Sequence, residues 1–202
     1  MIKKNKKRGK RFSLLNEYKE AWNYIKESKK FIYVVIGIFF FFALFAYFIP
    51  APQFISDKMM VFIKDLVNQT KGMSQWTLID FIISNNVKST FVGILSGIFL
   101  GIFPLISAIA NGYVLGFVSF LSVKTGGILT LWKIFPHGIF EMPAVFISLG
   151  LGVKMGTFIF QKKKLKSFID YSIKSLKVFL LITIPLLIIA GIIEGTLIIL
   201  LK

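Results

Sequence analysis

Between Lys88 and Lys124 the chain runs through 35 residues without a single charge. A transmembrane helix needs roughly 20 apolar residues to cross about 30 Å of hydrocarbon, at 1.5 Å per residue. The stretch is too long for one ordinary crossing, and Pro104 near its middle marks where a tight turn joins two short ones. We divide it into spans at about 89–104 and 107–123. Three further apolar stretches complete the set. One is 31–48, ended by Pro50-Ala51-Pro52. The next is 136–160, with Glu141 early and Lys154 late, and the last is 178–201, where Glu194 is the only charge. The 202 residues are 55% hydrophobic and include 23 Phe, more apolar surface than a soluble domain of this length buries. The fold class is all-α: a polytopic membrane protein with five transmembrane helices plus amphipathic interfacial helices.

Charge placement orders these spans. Residues 1–30 hold eleven Lys/Arg and three Glu, and residues 161–177 hold six Lys and one Asp. Basic flanks stay cytoplasmic, so an even number of crossings separates the two blocks. Four crossings do so, with the N-terminus inside and the C-terminus outside the cell membrane. No small-residue cleavage site follows the first span, the pattern of a retained anchor rather than a cleaved signal peptide. The chain divides into a basic amphipathic cytoplasmic arm, 1–30, and a transmembrane domain, 31–202, with an extracytoplasmic segment at 50–88.

The polar segments carry their own helical pattern. Leu15, Tyr18, Trp22 and Ile25 recur at helical spacing among Lys and Glu, describing a helix laid on the cytoplasmic leaflet. Ile55, Met59, Phe62 and Leu66 repeat the pattern on the other side, so 52–85 reads as one or two surface helices, and 126–135 as another short one. The net charge of +16 is concentrated in flanks that attract anionic lipid head groups; it is a topology signal, not a nucleic-acid surface. Lys154 is expected to snorkel toward those head groups beside Lys162, Lys163 and Lys164.

Small residues recur every four positions within the spans: Gly93, Gly97 and Gly101, then Gly112 and Gly116, Gly152 and Gly156, Gly191 and Gly195. Glycines stacked on one helix face let backbones approach closely where lipid and protein are equally apolar. The ridges serve either packing within one bundle or, through the triple ridge, a homodimer.

Few ionisable groups fall inside the spans, and such groups are functional candidates because an unpaired one costs several kcal/mol in hydrocarbon. His137 and Glu141 are four apart and share a helix face. With Glu194 they fall in the outer half of the membrane, while Asn111 is expected near the inner end of its span. Four readings of His137, Glu141 and Glu194 stay open: a structural hydrogen-bonded cluster, a divalent metal site, proton-coupled movement of a solute or lipid head group, and hydrolysis with a carboxylate as base. Without cysteine or a second histidine, and with no nucleotide fingerprint, neither an enzyme nor a cofactor is implied.

The run Pro136-His137-Gly138-Ile139-Phe140-Glu141-Met142-Pro143-Ala144, the pair Asn111-Gly112, and the late Ile189-Ala190-Gly191-Ile192-Ile193-Glu194-Gly195 resemble the stage II sporulation protein M family. The resemblance covers roughly residues 85–200 and leaves out the N-terminal arm. By position it matches His137, Gly138, Glu141, Gly191 and Glu194 to the family's motif. It implies a multi-span membrane protein without established catalytic activity. The family's namesake assembles with two partners, one a peptidoglycan hydrolase, at a septal membrane. The function expected is a non-enzymatic scaffold or assembly factor in membrane or envelope remodelling. The alternative is a small transporter or lipid-handling protein built around the His/Glu cluster.

Overall fold

The computed structural model describes residues 13–133 and 135–200, with the side chains of 132–137 outside that description. All regular structure among the described residues is helical. Seven α-helices follow in order: α1 Leu14–Phe48, α2 Gln53–Thr70, α3 Gln75–Leu95, α4 Ile102–Gly126, α5 Phe135–Gly156, α6 Lys164–Val178 and α7 Ile184–Leu200. A π-helical segment, Phe179–Thr183, joins α6 to α7 without a break. Pro185, in the first turn of α7, has no N–H to give, and widened turns just before a proline absorb that missing bond. Among the described residues, five stretches are long and apolar enough to cross a membrane: Leu14–Phe48, Gln75–Ile98, Ile102–Gly126, Gly138–Phe160 and Lys164–Leu200. Their outward faces carry large apolar side chains such as Phe41, Leu44, Phe48, Val92, Leu95 and Phe103, as lipid contact requires.

The glycine ridges set which helices pair. On α3, a methyl group at Gly93 would lie 2.7 Å from Leu149, and one at Gly97 would overlap the Gly152 carbonyl. Gly156 faces the backbone of Leu100 and Gly101 in the same way, so α3 and α5 run side by side in the same direction. Gly112 and Gly116 of α4 lie against the backbone of Phe39 and Ala43 of α1, again parallel. Gly191 and Gly195 of α7 meet Ile83 and Ile79 of α3 in antiparallel register. The triple ridge is thus filled by α5 of the same chain and is not a surface left for a second copy. Helix α5 lies at the centre and touches α1, α3, α4, α6 and α7.

Two boundaries differ from the sequence reading. The reversal between the second and third spans falls at 96–101, not at Pro104, and is made by Leu100 and Gly101 in the left-handed region at φ 60° and 72°. Pro104 is the third residue of α4, within the first turn, where its missing N–H would have no helical partner anyway. Helix α3 starts at Gln75 and includes the last part, 75–88, of the segment assigned to 50–88.

The second difference is the arm. Its described part is the first half of one 35-residue helix, not a separate helix laid on a leaflet. Ala21 and Tyr24 pack with Leu151 and Val178, and this holds the arm against α5 and α6. Of the expected lipid-facing stripe, Leu15, Tyr18 and Trp22 remain exposed on the other side, while Ile25 packs against the core.

Helix α2 stands apart from this bundle, because none of its 18 residues is buried. Its apolar side chains Phe54, Ile55, Val61, Phe62, Leu66 and Val67 are exposed.

Candidate functional site

Helix α1 packs closely on α4 through Gly112 and Gly116, and on α5 through Gly150, where a methyl group would lie 2.6 Å from Ile32. The adjoining side of α4 carries Asn111, Val114, Leu115, Val118 and Ser119. A cavity of about 410 Å³ lies there between α1, α4 and α5. Its wall is apolar, closed at the back by Phe39 and Phe146, whose rings meet edge to face at 5.0 Å. Among the described residues, Asn111, Ser119 and Glu141 bring polarity into it.

Asn111 is therefore deeper than the sequence reading placed it. Helix α4 begins at Ile102, so Asn111 lies between two and three turns in and shares a cavity wall with Glu141. Its amide donates to the Ser107 carbonyl at 2.8 Å. Glu141 is engaged within the chain as well. His137 belongs to the first turn of α5, but its side chain lies outside the described residues. Glu194 is half-buried on α7 between Gly191 and Gly195, and it is not among the residues lining the cavity. No group of three metal-ligating side chains occurs among the described residues.

A second polar centre was missed by sequence. Lys154 does not snorkel: it is 8% exposed and points into the bundle. Its Nζ donates to Ser28 Oγ at 3.0 Å and lies 3.9 Å above the Tyr24 ring. Glu27 supplies the carboxylate that no nearby span provides, 3.9 Å away. Tyr24, Glu27 and Ser28 lie at three- and four-residue helical spacing on the arm, a signal readable once the arm is known to continue the first span. Around this centre, Lys177 bridges Glu17 at 2.5 Å and Glu20 at 2.7 Å, tying α6 to α1.

The architecture defines a polytopic α-helical membrane protein, knit by glycine contacts around a central α5 and carrying a polar-edged cavity. The pattern of the stage II sporulation protein M family matches residues 33–197, and the chain belongs to that family. Two uncharacterised proteins of Methanocaldococcus jannaschii are similar to it. One is 38% identical over 102 residues, 48% of this chain and 46% of the relative. The other is 34% identical over 120 residues, 56% of this chain and 66% of the relative. The chain thus spans less than two thirds of the length of either. No solved structure matches it.

Proposed function

We propose that the protein is a non-enzymatic membrane scaffold or assembly factor that acts in remodelling the cell membrane or envelope. The N-terminus is cytoplasmic and the C-terminus outside, as the basic blocks at 1–30 and 161–177 favour. One observation carries the reading: α2, an amphipathic helix with no buried residue, is tethered between two spans at the end of the bundle away from the basic blocks. Such a helix lowers its free energy by inserting its apolar face into the head-group boundary of the outer leaflet. A glycine-packed bundle then holds that wedge at a fixed place, and membrane or partner assembly is organised around it.

The test is reconstitution of the full chain into liposomes at rising protein-to-lipid ratio, read by electron microscopy and by solute efflux. The wild type is expected to change vesicle shape without efflux, and Ile55→Ser/Phe62→Ser/Leu66→Ser to leave vesicles unchanged while melting normally. Solute flux abolished by Glu141→Gln or Glu194→Gln, with shape independent of α2, would replace the scaffold with a transporter.

A further inference from the structure

We propose that the cavity between α1, α4 and α5 is a binding site for a single-chain amphiphile, an alkyl chain whose head is a hydrogen-bond donor. This does not depend on the scaffold reading. The volume of about 410 Å³ is that of a small-molecule pocket, which is typically apolar with a few placed polar groups. The cavity lies beside spans whose outer faces meet lipid, so its natural occupants are lipid-soluble. Its mouth is set by exposed residues at two levels, Ile139 at 67% exposure on α5 and Asn111 on α4.

Asn111 commits one N–H to Ser107 and keeps its amide oxygen and its second N–H, and Ser119 carries a hydroxyl, so both can donate or accept; the Glu141 carboxylate is the group that selects a donor head. A carboxylate has about four lone-pair sites, so Glu141 can accept from a ligand besides its partner within the chain. An alcohol or ammonium head donates to the Glu141 carboxylate, and its chain fills the apolar wall of Val118, Met142 and Val145.

The experiment uses the full chain in lipid nanodiscs with three photoactivatable probes of equal chain length: an alcohol, an amine and a carboxylic acid. The alcohol and amine are expected to form adducts on Val118, Met142 or Val145, and the acid to label these positions much less. Leu115→Trp, which fills the cavity, is expected to abolish them. Glu141→Gln, which keeps the shape, is expected to lower amine labelling about tenfold, the weight of one charge-assisted hydrogen bond, with alcohol labelling retained. Labelling no stronger than at lipid-facing Val92 and Leu95 would overturn the site. So would equal labelling by the acid, or labelling that persists in a Leu115→Trp protein that melts normally.

Discussion

Lys154 Nζ sits 3.0 Å from Ser28 Oγ, joining the late turns of α5 to the arm of α1 across 126 residues of sequence. The contact places a buried cation on the Tyr24 ring, with the Glu27 carboxylate at its edge. Three effects compete here. Burial penalises the ammonium, while the hydroxyl and the ring stabilise it by about 1–3 kcal/mol together. The Glu27 carboxylate adds little, being largely exposed.

Replacing this lysine separates the charge from the stem. Lys154→Met keeps most of the packing volume and removes the buried charge, so its cost is small, within about 1 kcal/mol. Lys154→Ala also opens a cavity and should cost about 2 kcal/mol or more. Detergent melting curves check the order: the alanine variant melts clearly below the methionine one. Identical, wild-type curves for both would mean that the side chain lies in solvent.

Tyr24 gives a sharper pair. Its ring is 3% exposed, yet its hydroxyl and that of Ser175 lack hydrogen-bond partners among the described residues. Tyr24→Phe removes an unsatisfied polar group and is expected to leave stability unchanged or raise it by up to about 1 kcal/mol. Tyr24→Ala should cost about 3 kcal/mol. Amide exchange then rises in residues 14–30, while 31–48 stay protected.

The glycine contacts are tested by position rather than by chemistry. A methyl group at Gly116 overlaps the Ala43 carbonyl, so α1 and α4 must separate, and Gly116→Ala should cost about 1–3 kcal/mol. Gly37 has open space where its methyl group would go, and Gly37→Ala is expected to stabilise α1 by about 0.5–1 kcal/mol. Melting in one detergent measures both; shifts of the same sign would refute the helix pairing.

Membrane orientation has a direct readout because the chain contains no cysteine. Lys71→Cys, between α2 and α3, is expected to react with an impermeant maleimide on intact cells. Lys163→Cys, just before α6, is expected to react only after the membrane is opened. Reaction of both from the same side would rule out the three crossings between them.

Much of the fold was legible from residue order alone, for a reason specific to membranes. Lipid demands that apolar stretches be continuous and helical, so the charge-free run at 89–123 already implied two helices. The Gly-x-x-x-Gly spacing implied close packing. Sequence placed the hairpin turn at Pro104 because proline breaks helices, although a first-turn proline leaves the helix intact. The left-handed Leu100 and Gly101 carry no equally strong signal.

The polar centres were decided by tertiary structure. Glu141 and Asn111 lie 30 residues apart, and only the packing of α4 beside α5 brings them to one cavity. Lys154 reads as an interfacial lysine until the arm proves to be the same helix as the first span. Composition and periodicity state which surfaces must leave water. Which buried groups then meet depends on how helices cross, and that is set by the shapes of facing side chains many residues apart.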